Sequence, residues 1–337
     1  MNHQIALNFE DGVTRFVTSL PDERVADAAY RSGINIPLDC REGACGTCKA
    51  FCESGRFLMS DYVDEALTAD EASRGYVLTC RMTPLSDCVV RIPVTSAVAK
   101  APAASIFTAN IDSVTSLSST AFVLTLHGPA IERLKFLPGQ YANLCLPGSD
   151  ETRAYSFSSL VHDGTVNFLI RNVPQGRMSR YLTEQARPGD PVQFQAPFGS
   201  FYFRQTGRPV VMVAGGTGLA PFLAMLEYIG INRLAIPIHL VYGVTNEEDL
   251  VALDELEVHA RNLGDTLDIT VCVAHAAAPG RNKGFVTDYL VPGMFHGGDV
   301  DLYLCGPPPM VAAVEAFLNE RRLTPVQMHY EKFLPSK

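Results

Sequence analysis

The chain is short of positive charge. It has 27 lysines and arginines against 36 aspartates and glutamates, a net −9 with histidine neutral. That balance argues against nucleic acid as a partner and leaves small molecules or proteins. Charge of either sign is sparse at 19%, while hydrophobic residues reach 47%. Disorder is excluded by that composition, and packed domains are expected. No export signal is visible: Met1-Asn2-His3-Gln4-Ile5-Ala6 has neither a basic n-region nor an apolar h-region. Nor is a membrane span expected. The stretch from Pro209 to Leu226 carries no charge, but Gly215, Gly216, Gly218 and Pro221 interrupt it. A strand, a glycine turn and a buried helix explain it better. Internal repeats and low-complexity tracts are absent. A length of 337 residues suggests two or three domains, and the location expected is cytoplasmic.

Cysteine, in contrast, is plentiful, with nine in the chain. In a reducing cytoplasm, clustered cysteines more often mean metal than disulfide. Cys40, Cys45 and Cys48 stand in Cys-Arg-Glu-Gly-Ala-Cys-Gly-Thr-Cys, and Cys80 ends Tyr-Val-Leu-Thr-Cys. This is C-x4-C-x2-C with a distant fourth cysteine, the plant-type [2Fe–2S] spacing. Such a cluster needs four thiolates and moves one electron at a time. Gly43 and Gly46 let the loop bend around it, and backbone N–H groups freed there can point at sulfur. The competing use is zinc with four cysteine ligands. Zinc sites usually pair two C-x2-C knuckles, and Cys80 has no such partner, since residue 77 is Val and residue 83 is Thr. Cys52 and Cys88 fall outside the pattern and read as small buried residues.

Three segments follow from the patterning. Ile5, Leu7 and Phe9 alternate on one strand, Asp11-Gly12 turns the chain, and Val13 to Val17 return as a second strand. Asp22 to Tyr30 reads as a short helix with an acidic first turn. Residues 1–95 are therefore expected to form a β-grasp domain around the cysteines. Residues 96–105 are small and featureless and read as a linker. Residues 106–205 alternate strands with turn signals, as in an antiparallel β-barrel, with one helix near Met178 to Glu184. Residues 206–337 alternate buried strands with helices, which implies a doubly wound parallel sheet. The fold class expected is thus multidomain, α+β and α/β.

Two phosphate-directed elements stand in the barrel segment. Arg153 and Tyr155, two apart on an extended run, share a side and can hold a phosphate and stack on a ring. Gly176-Arg177-Met178-Ser179 opens the one helix, and a helix start with a serine hydroxyl suits phosphate. The third segment adds Gly215-Gly216-Thr217-Gly218 between a strand and a helix. Glycines there let a backbone approach a pyrophosphate. By itself that turn is weak evidence, since the third glycine of the dinucleotide fingerprint is missing. Cys305-Gly306-Pro307 after the last buried strand strengthens it.

Taken in order, Arg153-x-Tyr155-Ser156, Gly176-x-x-Ser179, Gly215-Gly216-Thr217-Gly218 and Cys305-Gly306-Pro307 resemble the motifs of the ferredoxin–NADP reductase superfamily over residues 106–337. With a plant-type ferredoxin domain in front, the whole chain resembles the reductase components of benzoate, toluate and anthranilate dioxygenases. The order ferredoxin, flavin, nicotinamide implies FAD. The resemblance implies that Arg153 contacts the flavin pyrophosphate, that Tyr155 packs on the ring, and that Ser156 lies near the atom that accepts hydride. It places phosphate at Gly176 to Ser179 and a covering aromatic at Phe333. Cys305 would border the nicotinamide, and Ser156, Cys305 and Glu331 would line the hydride path. The implied activity carries electrons from NADH through FAD and [2Fe–2S] to a terminal Rieske-type oxygenase. NADH is favoured because Val244-Thr245-Asn246-Glu247-Glu248-Asp249 has three acids and no base to meet a 2′-phosphate. A solvated helix start accounts for the same acids. The alternatives are the reductase of a di-iron monooxygenase or of deoxysugar synthesis, and a ferredoxin-like carrier or redox sensor without enzyme activity. Asp39, Glu42, Asp61, Asp64 and Glu65 around the cysteines offer an acidic face to a partner, or an ordinary solvated surface.

Overall fold

Ile5, Leu7 and Phe9, which alternate in sequence, all face inward and are at most 4% exposed. The computed structural model describes residues 1–276 and 282–333. Contacts divide the chain into two units: residues 1–105 with 197–200, and residues 106–196 with 201–337.

The first unit holds strands β1 (His3–Phe9), β2 (Thr14–Ser19), β3 (Lys49–Ser54), β4 (Phe57–Met59), β5 (Tyr76–Leu78), β6 (Met82–Pro84) and β7 (Cys88–Ile92). Five of them form a mixed sheet in the order β2-β1-β7-β3-β5, and β4 pairs with β6. Helix α1 (Val25–Arg31) turns Val25, Ala26, Ala28 and Ala29 inward. One helix on a mixed sheet is the β-grasp arrangement. The helix starts later than the acidic run suggests. Asp22 takes a left-handed conformation at φ 61°, and Glu23 pairs with Arg31 at 2.8 Å, which ties the entry loop to the helix end. Helix α2 (Ala69–Ser73) starts at a capping box between Thr68 and Glu71. The Glu71 carboxylate also accepts from Lys49 Nζ at 2.7 Å, with the two side chains only 5% and 14% exposed. That shielded pair fastens α2 to the residue after Cys48.

The segment expected as a linker is partly folded. It contains helix α3 (Ser96–Lys100), capped by Thr95. Ser96 donates twice to Asp11, and Asn35 N–H donates to Ala99 O at 2.8 Å. Small residues hid this helix because its anchors lie in distant sequence.

The second unit contains most of β8 (Ser105–Ser118), all of β9 (Ala121–His127), β10 (Tyr141–Cys145), β11 (Thr152–Ser156) and β12 (Thr165–Arg171), and most of β13 (Pro191–Phe198). Their order is β11-β10-β13-β8-β9-β12. A bridge between Phe157 and Phe168 joins the two ends of that order and closes the barrel. Phe157, Phe168 and Phe194 fill its interior, each fully buried. Helix α4 (Arg177–Arg180) continues as a π turn over Tyr181–Gln185, so the helix expected near Met178 to Glu184 is present with its second half wound as π.

The remaining strands are β14 (Val210–Gly215), β15 (Ile238–Val244), β16 (Leu267–Val273), β17 (Asn282–Lys283), β18 (Asp301–Gly306) and β19 (Gln327–Lys332). They are parallel throughout, in the order β17-β16-β15-β14-β18-β19. The strand order reverses between β14 and β18, where ligands of doubly wound sheets bind. Helix α5 (Ala220–Ile231) explains the uncharged run: eight of its residues, Ala220 to Leu226 and Ile229, are buried. Each large apolar side chain so buried contributes about 1.5–3 kcal/mol. Helices α6 (Leu253–Leu263) and α7 (Pro308–Arg321) complete the layers. Among the described residues no helix is long and apolar enough to cross a membrane.

Candidate functional site

The four motif cysteines meet in two pairs. Cys45 lies beside Cys40, and Cys48 beside Cys80, each pair shifting its partner's acidity. Among the described residues no three His, Cys, Asp or Glu side chains converge on one ion position. Two sulfur pairs suit two metals, whereas one zinc ion gathers four ligands around itself. Backbone N–H groups of Glu42, Ala44 and Cys45 point at Cys40 Sγ from 3.5, 3.3 and 3.4 Å. Cys45, against the cost of burial and then with those N–H groups, draws the Cys40 thiol down to about 5. Cys80 is lowered likewise while their partners Cys45 and Cys48 are raised, so within each pair one sulfur is held toward the thiolate. Gly43 and Gly46 carry φ of 73° and 74°. A side chain on Gly43 would also meet Tyr62 Cβ at 2.8 Å. The donor set therefore fits a [2Fe–2S] cluster.

In the barrel, Arg153 and Tyr155 lie on one side of β11, as their spacing demands, with the intervening Ala154 exposed. Sequence reasoning missed the residue that organises them. The Glu151 carboxylate takes Arg153 Nη2 at 2.9 Å and, with its other oxygen, Arg177 Nη1. Two guanidinium groups from separate elements thus converge on one anion, and phosphate oxygens fit the same donors. Glu151 gave no signal because its second partner is distant in sequence. Burial pushes the Tyr155 phenol up to about 12. The Gly176–Ser179 turn differs from expectation in two ways. Met178 is 5% exposed and belongs to the barrel core. Ser179 Oγ accepts from Val173 N–H at 2.8 Å, so its hydroxyl tightens its own loop, a local competition common for serine.

The two nicotinamide motifs touch. A Cβ on Gly215 would stand 2.7 Å from Met310 Sδ and 2.9 Å from Pro307 Cδ, and one on Gly218 2.3 Å from Cys305 O. Only glycine permits that approach. Cys305 is fully buried, and burial, then Glu331, pushes its thiol well up. Its sulfur is therefore held in the core and does not face an open surface. Glu331 stands beside Cys305 in the β18–β19 register and accepts from Ser156 Oγ at 3.2 Å. Ser156, Cys305 and Glu331 are thus brought to one place, although barrel and sheet supply them separately. Phe333 is half-buried and donates its N–H to Gly306 O at 3.0 Å, which ties the end of β19 to the same motif.

Burial pushes the Glu331 carboxyl up to about 8, partly offset by the Ser156 hydrogen bond. The folded chain then keeps a proton that the unfolded chain releases above about pH 4.3. This residue's contribution to stability is full below that value, falls as pH rises toward about 8, and levels off above. Glu331→Gln removes the dependence. The expected result is a melting temperature that gains on the parent's between about pH 5 and 8. Parallel thermal-unfolding profiles over that range would contradict it.

A cleft of about 340 Å³ lies at the loop after β15, lined by Thr120, Arg171, Asn172, Thr245, Asn246 and Glu248, among others. Asn246 N–H donates to Asp249 at 3.1 Å, so part of the acidic loop caps its own turn. Arg171 is a cation at this cleft that reading the loop alone did not reveal.

Fold and site together define an iron–sulfur flavoprotein oxidoreductase with a nicotinamide domain. Residues 8–85 match the family described as "2Fe-2S iron-sulfur cluster binding domain". Residues 108–203 match "Oxidoreductase FAD-binding domain", and residues 212–316 match "Oxidoreductase NAD-binding domain". The chain is 51% identical over 337 residues to the toluate 1,2-dioxygenase electron transfer component of Pseudomonas putida, covering 100% of both. It is 48% identical to the 2-halobenzoate 1,2-dioxygenase electron transfer component of Burkholderia cepacia, covering 100% of this chain and 99% of that one. Among solved structures, the Amycolatopsis cytochrome P450 reductase GcoB aligns with TM-score 0.72 at 28% identity, over 99% of this chain and 100% of that one. The chain belongs to the family of electron transfer components of aromatic-ring dioxygenases.

Proposed function

We propose that the chain is the NADH-dependent reductase of a benzoate-type aromatic-ring dioxygenase and delivers electrons to its terminal Rieske-type oxygenase. The observation that carries this reading is that one chain holds all three cofactor modules while aligning end to end with a toluate dioxygenase component. We assign residues 1–95 to the ferredoxin domain, 106–205 to the FAD domain and 206–337 to the NAD domain. Nine free cysteines support a reducing cytoplasm.

Cys40, Cys45, Cys48 and Cys80 hold the [2Fe–2S] cluster. Arg153 and Arg177 would hold the FAD pyrophosphate, the backbone of the Gly176–Ser179 turn would add N–H donors, and Tyr155 and Phe333 would pack on the ring. Gly215 to Gly218 and Cys305 to Pro307 admit NADH at close range. When bound, FAD supplies the conversion of a two-electron hydride donor into single electrons for the cluster. Ser156 and Glu331 orient one another beside the hydride path, and the raised pKa keeps Glu331 largely neutral near pH 7. At the cleft, Glu248 and Asp249, with Glu247 beside them, outnumber Arg171, so a 2′-phosphate is disfavoured and NADH favoured.

Reconstitution tests this reading. Purified chain and NADH should support ring dihydroxylation with a benzoate-, toluate- or anthranilate-type Rieske oxygenase and leave a di-iron hydroxylase idle. Failure with every Rieske oxygenase tried, or turnover with the di-iron enzyme alone, sinks it.

A further inference from the structure

Two cysteines of the first unit remain once the cluster set is taken, Cys52 on β3 and Cys88 on β7. Read as independent small residues in sequence, they meet in the fold. β3 and β7 are antiparallel neighbours inside the sheet, with Cys52 opposite Val90. Cys88 lies two residues from Val90 on the same strand, so the two side chains share a face. A bulge between Cys52 and Ser54 bends β3 at this point. Beyond the bulge, Gly55 runs so close that a Cβ on it would stand 2.5 Å from Cys88 Sγ. Cys52 Sγ donates to Ser54 O at 3.3 Å and Cys88 Sγ to Ser86 O at 3.3 Å, so the two sulfurs sit on either side of the Ser54–Gly55 peptide. Cys88 is 2% exposed, while Cys52 is partly open to solvent.

We propose that Cys52 and Cys88 are a reversible disulfide site, closed by hydrogen peroxide. The two side chains lie diagonally on one face of paired strands and meet at the bulge, and closing the bond brings the sulfurs to about 2.05 Å. Peroxide reaches Cys52 first, because Cys88 is covered. The Cys52 sulfur attacks one peroxide oxygen. An S–O bond forms, the O–O bond breaks, and the departing hydroxide leaves as water with the thiol proton. Cys52 is then a sulfenic acid. The Cys88 sulfur attacks the Cys52 sulfur, the S–S bond forms, the S–O bond breaks, and a second water leaves with the Cys88 proton. Two thiols lose two electrons, and one peroxide is reduced to two waters. A dithiol reverses the bond by exchange. The neighbouring Cys88 also lowers the Cys52 pKa, which favours the attacking form. Closed, the bond ties β3, which begins directly after Cys48, to β7.

The test uses the full purified chain with cluster and flavin bound. It is treated with limiting hydrogen peroxide, alkylated, digested without reductant and analysed by mass spectrometry. The expected product joins the Cys52 and Cys88 peptides, two hydrogens lighter, and is released by a phosphine reductant. Cys52→Ser and Cys88→Ser both lack it. In Cys88→Ser, sulfenic acid at Cys52 should accumulate to at least about tenfold the parent level, trapped with dimedone, because nothing resolves it. Two results overturn the proposal. One is sulfinic or sulfonic acid at Cys52 of the parent with Cys88 still alkylated. The other is both thiols alkylated while the cluster absorption bleaches.

Discussion

Cys45→Ser is expected to abolish electron delivery to the oxygenase while NADH oxidation by ferricyanide, drawn at the flavin, stays within about twofold. Each iron of the cluster takes two thiolates, and Cys45 is one half of the pair it makes with Cys40. A serine oxygen is a harder donor to iron and cannot supply the polarisable sulfur this cluster type takes. Removing even an outer partner of a metal ligand costs about 10–100-fold. Removing the ligand should therefore lower cytochrome c or oxygenase reduction by more than about 100-fold. The flavin and nicotinamide motifs lie in the other unit, which is why the ferricyanide rate is the control. Iron content and visible absorption should fall with the delivery rate. A variant with full iron and normal delivery would show that Cys45 is not a ligand.

Gly218→Ala is expected to lower kcat/KM for NADH by about 100-fold and to leave flavin content and the dithionite-reduced cluster spectrum unchanged. The added Cβ would stand 2.3 Å from Cys305 O, 2.7 Å from Cys305 C and 3.0 Å from Gly306 Cα. All three are backbone atoms, so no side-chain rotation relieves the clash. Overpacking of this kind costs about 1–3 kcal/mol, and the two loops must separate to absorb it. They are the two that admit the nicotinamide nucleotide, and a misplacement of about 1 Å can cost about 100-fold in rate. Gly216→Ala is the control. Its φ is 56°, with nothing within 4 Å of the added atom, so the cost is backbone strain of about 1–2 kcal/mol and no collision. Steady-state kinetics with NADH separate the two. Equal losses in both variants would remove the close approach of Gly218 and Cys305 as the reason.

The cluster loop was legible because its ligands are local in sequence: three of four cysteines fall within nine consecutive residues, with glycines where the backbone must turn. The strand and helix character of the nicotinamide sheet was legible for the same reason, in runs such as Val210 to Ala214. Contacts between distant segments left no such trace. Met310 and Pro307 press on Gly215, yet nothing at residue 215 announces them. Glu151 bridges Arg153 and Arg177, and only folding makes that carboxylate more than a surface charge. The helix at Ser96–Lys100 depends on Asp11 and Asn35, so composition alone read it as linker. Ser179 erred the other way. Its place in a phosphate motif suggested a free hydroxyl, and the tight Val173–Ser179 turn takes that hydroxyl for itself.

The central claim is that electrons entering from NADH reach the four cysteines. Anaerobic addition of NADH to the purified chain, followed by freezing and electron paramagnetic resonance, tests it most directly. About two irons and one flavin per chain are expected. Both visible chromophores should bleach, with a rhombic reduced-cluster signal that Cys45→Ser lacks. A flavin that bleaches with NADH while the cluster stays oxidised, or a chain carrying zinc in place of iron, would contradict it.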